Sequence, residues 1–200
     1  MDETIPPQKF PDPHHDAYSR TVFGFWVYLM SDCILFATLF ATYAVLHNKV
    51  NGGPASHELF DLSTALAETL ILLTSSFTCG LGMLAAYRNL KSWVIIWFGI
   101  TFALGVSFLT LELTEFAQFA QEGHSWQRSA FLSSYFTLVG THGLHITFGL
   151  LWMLILIPVV MVKGLKLSIL RKLTCLGLFW HFLDVVWIFI FTIVYLMGEI

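Results

Sequence analysis

The sequence predicts an all-α integral membrane protein, with five transmembrane helices in one bundle, a cytoplasmic N-terminus and a periplasmic C-terminus. Three observations lead there. Of 200 residues, 56% are hydrophobic and 12% are charged, against about 25% charged in a typical soluble chain. Five apolar runs each reach the roughly 20 residues that a ~30 Å hydrocarbon layer requires. The lysines and arginines concentrate in the segments that alternate to one side of such a bundle.

The expected spans are about 22–47, 62–87, 93–119, 131–162 and 173–197. Residues 1–20 are polar, proline-containing and mildly acidic. They lack the basic start, short apolar core and cleavage site of a secretory signal, and read as a flexible cytoplasmic tail before a transmembrane domain over 21–200. The connections are polar. Residues 48–58 carry Gly-Gly-Pro turn chemistry, 88–92 form a tight basic turn, 121–129 are polar with a glycine, and 163–172 are basic and amphipathic. Five of the six prolines lie outside the runs, and Pro158 falls in the last turns of the fourth, where it is expected to bend the helix. With the N-terminus inside, eight of the ten basic residues are cytoplasmic (Lys9, Arg20, Arg88, Lys91, Lys163, Lys166, Arg171, Lys172) and only Lys49 and Arg128 are outside. That asymmetry sets the orientation.

The remaining composition narrows the function. A net charge of −3 suggests no nucleic-acid partner. Cys33, Cys79 and Cys175 form no C-x-x-C and no metal-ligand spacing, and read as small buried hydrophobes. The odd number of spans and the lack of an internal repeat argue against a simple inverted-repeat transporter. Small residues run along the second helix (Ser75, Ser76, Thr78, Cys79, Gly80, Gly82) and the fourth (Gly140, Gly143, Gly149). They let helices approach closely.

Ionisable residues then stand out. Every span holds at least one: Asp32; Glu68; Glu112 and Glu115; His142 and His145; His181 and Asp184. Such groups are costly in hydrocarbon and usually face a bundle interior, a cavity or a partner. The last three pairs have i,i+3 spacing, which puts both members on one helix face. Depth along the helices suggests a His–Glu network joining helices two, three and four, with Asp32, His181 and Asp184 nearer the middle. Haem or metal ligation is disfavoured because few histidines lie well inside the spans and the carboxylates form no soft-metal set. A proton relay through Asp32, and contacts to lipid or to another membrane subunit, stay open. Tryptophans near span ends fit an interfacial belt. Trp180 and Trp187, seven apart, fit either a subunit seam or ordinary core.

At GTHGLHITFG (140–149) and WHFLDVVWIFIFTIVYLMG (180–198) the chain resembles subunit III of the haem–copper respiratory oxidases. LELTEF (111–116) resembles the family's carboxylate-plus-aromatic element, and YLMSDCILFATLFATYAVLH (28–47) its first core helix. The likeness covers about residues 20–200. Five spans rather than seven, and Asp32 where a glutamate is common, are similar to the branch of bacterial cytochrome o ubiquinol oxidases. The resemblance implies a non-catalytic accessory subunit of a proton-pumping complex in the bacterial inner membrane. The haems and copper are then expected on the catalytic subunit I, with no cofactor or metal on this chain. Subunit I, the other subunits and phospholipids are the implied partners, and support of assembly and sustained proton uptake the implied role. Asp32 matches the family's buried carboxylate, and Glu115, His142, His145, His181 and Asp184 match its polar elements. Glu68 and Glu112 have weaker counterparts. The equivalent subunit of a cytochrome c oxidase, and a stand-alone proton-coupled transporter, are the alternatives.

Overall fold

A computed structural model describes residues 13–46, 62–121 and 130–196. Five helices account for nearly all of them: α1 (Pro13–Leu46), α2 (Leu62–Tyr87), α3 (Lys91–Gln121), α4 (Ala130–Lys163) and α5 (Leu167–Ile190), the last continued by a π-helical turn over Phe191–Leu196. Each contains a segment long and apolar enough to cross a membrane. The five expected spans are therefore present.

The ends differ from expectation in two places. Helix α1 begins at Pro13, so residues 13–20 are helical rather than tail; residues 1–12 lie outside the described residues. A proline suits the first helical position, where its missing N–H would have no intrahelical acceptor. Helix α5 begins at Leu167, so its first turn absorbs part of the expected basic connection. The turns between helices follow from their residues. Asn89 adopts φ 56° after α2, with Leu90 N–H donating to Ala85 O and Asn89 N–H to Ala86 O, each at 3.0 Å. These two bonds satisfy carbonyls that the helix end leaves open, and asparagine tolerates the left-handed conformation. Gly164 takes φ 68° and does the same for α4. The Lys91 ammonium donates to Met161 O at 2.7 Å and ties the start of α3 to the end of α4.

Helices α2, α3, α4 and α5 pack in a closed ring, α2 on α3, α3 on α4, α4 on α5 and α5 on α2, and α1 lies outside it against α4 and α5. Two indoles from α5 hold the ring. Trp180 fills space left free by glycines on two other helices. A Cβ at Gly105 of α3 would come within 2.8 Å of its ring, and one at Gly149 of α4 within 2.9 Å. Its Nε1–H donates to Ser75 Oγ of α2 at 2.8 Å. Two turns on, Trp187 Nε1–H donates to Thr69 Oγ1 of α2 at 3.1 Å, while its ring meets Phe108 of α3 edge-on at 4.7 Å and stacks on His142 of α4 at 5.3 Å. Close packing and interhelical hydrogen bonds are what associate helices in lipid, where apolar burial gives no drive.

A bulky side chain at these notches should therefore be far more harmful than at an open glycine. Gly149→Leu is expected to destabilise the detergent-solubilised chain by about 1–3 kcal/mol or more through overpacking. Gly99→Leu, where an added Cβ meets nothing within 4 Å, should be near neutral. Thermal unfolding followed by tryptophan fluorescence compares the two.

Candidate functional site

Seven of the eight ionisable residues expected at the site fall into three groups, and His142 stands apart. Five are buried (Asp32, Glu68, Glu112, His142, Asp184), Glu115 and His145 are half-buried, and His181 is exposed on the outer surface.

The first group is a carboxyl cluster inside the ring. Glu68 (α2), Glu112 and Glu115 (α3) lie within electrostatic reach of one another. Glu112 packs against Gly143 of α4, whose missing side chain makes room for the carboxyl: a Cβ there would stand 2.5 Å from Glu112 Oε1. Two tyrosine hydroxyls serve Glu115. Tyr135 of α4 donates to Oε1 at 3.4 Å and Tyr195 of the π-helical turn to Oε2 at 3.2 Å, with the two hydroxyls 3.0 Å apart. Glu68 is fully buried, and neither of its carboxyl oxygens nor Glu112 Oε2 has a hydrogen-bond partner among the described residues. Carboxyls and hydroxyls so gathered can share protons, and they link α2, α3, α4 and α5 at one level.

The second group joins α1 to α4. His145 Nδ1–H donates to Thr141 O at 2.7 Å, which leaves Nε2 facing Asp32 Oδ2 at 3.7 Å. The Tyr28 hydroxyl, one turn before Asp32, faces the same carboxyl. His142 belongs to neither group. It is fully buried with no hydrogen-bond partner for either ring nitrogen among the described residues. Instead it is enclosed by rings: Trp187 stacked, Phe108 edge-on at 6.1 Å and Phe36 at 6.3 Å. The expected His–Glu pairing is thus absent among the described residues. Glu115 accepts from two tyrosines, and His145 stands 3.7 Å from Asp32 Oδ2, an oxygen with no hydrogen-bond partner among the described residues.

The third group lies between α2 and α5 on the outside. His181 Nδ1 and Ser76 Oγ are 2.7 Å apart, and the Ser76 hydroxyl also faces Asp184. Neither His181 nor Asp184 pairs with Asp32. Trp180 and Trp187 belong to the core.

Tyr135, Tyr195 and Ser76 were not singled out as site partners from the sequence. The only signal for the tyrosines was their position in otherwise apolar runs. Among the described residues, no group of three or more His, Cys, Asp or Glu side chains is arranged to ligate a metal ion.

These features define a multi-pass membrane protein whose polar groups join helices to one another. The family model for cytochrome c oxidase subunit III matches residues 10–199, so the chain belongs to the cytochrome c oxidase subunit III family. It is 53% identical to the cytochrome bo(3) ubiquinol oxidase subunit 3 of Pseudomonas aeruginosa, over 94% of this chain and 90% of that one. The corresponding subunit of Pseudomonas putida is 51% identical over 92% and 89%. The cytochrome c oxidase subunit 3 of Bacillus sp. strain PS3 is 48% identical over 88% and 86%.

Three substitutions test the assignment of partners. His142→Phe should change stability by less than about 1.5 kcal/mol, because the residue packs as a ring. His145→Phe removes the donor to Thr141 O and the imidazole that stands 3.7 Å from the buried Asp32 carboxyl, and should cost more, about 1–3 kcal/mol. Equal effects in thermal unfolding would show that His142 has a polar partner. Tyr195→Phe should cost about 0.6–1.7 kcal/mol, the range of interhelical hydrogen bonds in membranes.

Proposed function

We propose that the chain is the accessory subunit III of a proton-pumping cytochrome o ubiquinol oxidase, in which ubiquinol oxidation is coupled to oxygen reduction. The observation that carries this is identity above 50% to two ubiquinol oxidase subunits over nine-tenths of the chain. In this reading the chain crosses the bacterial inner membrane five times with its N-terminus in the cytoplasm; residues 1–20 are cytoplasmic, with 13–20 already part of α1, and 21–200 are the transmembrane domain. It supports assembly and sustained proton uptake beside subunit I, which holds the haems and copper. The basic residues at one end of the bundle favour that orientation.

Lipid binding is part of the proposal. A groove of about 550 Å³ at the same end is lined by Phe25 and Tyr28 of α1, Trp152 of α4, and Arg171 and Lys172 of α5. Two cations beside an aromatic wall near the membrane edge suit an anionic phospholipid. Asp32 lies one turn beyond Tyr28 of this groove on α1, and the carboxyl that the Tyr28 hydroxyl faces would carry any proton-linked role.

A tagged chain purified from its own membranes should bring a haem-bearing partner, with a Soret band in the complex and ubiquinol oxidase activity. A complex that accepts electrons from cytochrome c alone would favour the equivalent subunit of a cytochrome c oxidase, which the Bacillus relative keeps in view. A pure chain active in proton-coupled transport would overturn both. In the complex, Arg171→Gln with Lys172→Gln should lower the co-purified anionic phospholipid several-fold by mass spectrometry, and unchanged lipid would remove that part of the proposal. Asp32→Asn should leave the complex assembled while altering the decline of activity during turnover.

A further inference from the structure

The interior of the helix ring changes character along its length. Across the ring, α2 and α4, and α3 and α5, approach less closely than neighbouring helices do, so side chains fill the axis. Trp180 and Trp187 fill it at two levels, each with its indole N–H bonded to α2. Next to Trp187, whose ring lies 6.2 Å from that of Tyr195, the filling is polar. Glu68 of α2, Glu112 and Glu115 of α3, Tyr135 of α4 and Tyr195 of the π-helical turn gather there within electrostatic reach.

This level holds more acceptors than donors. Each tyrosine has a single O–H, and both hydroxyls lie at Glu115, 3.4 and 3.2 Å from its oxygens. Thr69, beside Glu68, spends its O–H on Ala65 O. The N–H groups inside a helix are already bonded to carbonyls. Glu68 and Glu112 sense one another through charge, without a hydrogen bond between them. Glu68 is 0% exposed, yet neither of its oxygens has a partner among the described residues, and the same holds for Glu112 Oε2 in a residue 2% exposed. Three carboxyl oxygens are thus sealed from bulk solvent and meet no donor of the described chain. Buried polar atoms in folded proteins are rarely left in that condition.

A group that bridges them must be small, must donate hydrogen bonds and must fit between packed helices. A metal ion does not suit the site, because among the described residues no three His, Cys, Asp or Glu side chains are arranged to ligate one. Water meets all three conditions, and a buried water makes about three hydrogen bonds to groups otherwise unsatisfied. We infer that the carboxyl cluster is a buried-water site, in which water donates to Glu68 and to Glu112 Oε2 and joins them to Glu115 and its two tyrosines. Water completes the polar joint between α2, α3, α4 and the π-helical turn. The site goes beyond the subunit reading, and its side chains belong to this chain whatever complex it enters.

The test uses the wild-type chain in the complex that co-purifies with it. A map of that complex, at a resolution where ordered water is visible, is expected to show water within hydrogen-bond distance of Glu68 and of Glu112 Oε2. A direct bond between the two carboxyls, a side-chain donor from another segment or polypeptide, or no density where other buried waters are resolved would each overturn the inference. Hydroxyl-radical labelling by brief X-ray exposure, which marks buried side chains beside bound water, gives a second readout. Tyr135 and Tyr195, 0% and 1% exposed, are expected to label despite their burial. Glu68→Leu removes the acceptor at similar volume and should lower that labelling several-fold. Labelling of the two tyrosines unchanged by Glu68→Leu would count against the site.

Discussion

The indole of Trp180 occupies volume that only glycine leaves free on both α3 and α4, and its N–H reaches a serine on α2. One side chain of α5 thereby sets its distance to three other helices. In water such a residue would be buried by the hydrophobic effect. In a bilayer the surroundings are as apolar as the interior, so shape and hydrogen bonds must do that work. Trp187 repeats the arrangement two turns on, with Thr69 as acceptor and Phe108 and His142 as walls. With these two faces of α5 turned inward, the helix geometry carries His181 to the outer surface. The position of that imidazole follows from the core packing.

Polar groups inside the ring obey the same constraint. Most Ser and Thr hydroxyls return to a carbonyl three or four residues earlier in their own helix, as Thr69 does to Ala65 and Thr147 to Gly143. Where a hydroxyl also meets another helix, it becomes a joint, as in Thr78 with Thr101 at 2.8 Å. The carboxyls have no backbone donor within reach of an intact helix, because every internal N–H is already used. Any donor to them within the chain must be a side chain. Glu115 accepts from two tyrosines for that reason, and Glu112 lies where Gly143 makes room.

This explains how far the sequence could be read. The number of helices was legible because lipid imposes a length and a polarity on each one. The turns at Asn89 and Gly164 were legible as polar or glycine-containing breaks. The importance of the ionisable residues was legible because their cost in hydrocarbon demands an environment. Their partners were not. Depth alone places Glu112, Glu115, His142 and His145 near one another, but pairing depends on helix rotation, which Trp180 and the glycine notches decide. The π-helical turn was also hidden. No residue in Phe191–Leu196 signals it, yet that turn carries Tyr195, one of the two hydroxyls that serve Glu115.

The separation of the polar groups bears on whether protons could cross through this chain alone. A relay needs hydrogen-bonded groups in series from one side to the other. Asp32 and His145 connect toward Tyr28 and the basic groove at one end. Toward the other end they meet Phe36, 2% exposed, whose ring lies 5.2 Å from that of His145 and 6.3 Å from that of His142. His142, among the rings of Phe36, Phe108 and Trp187, makes no hydrogen bond among the described residues, and Glu112 of the carboxyl–tyrosine cluster packs at Gly143, the next residue of α4. The described polar groups thus form three separate clusters, and His142 makes no hydrogen bond to any of them. Each cluster joins helices within its own part of the bundle, Asp32 and His145 between α1 and α4, and Glu115 with the two tyrosines between α3, α4 and the π-helical turn.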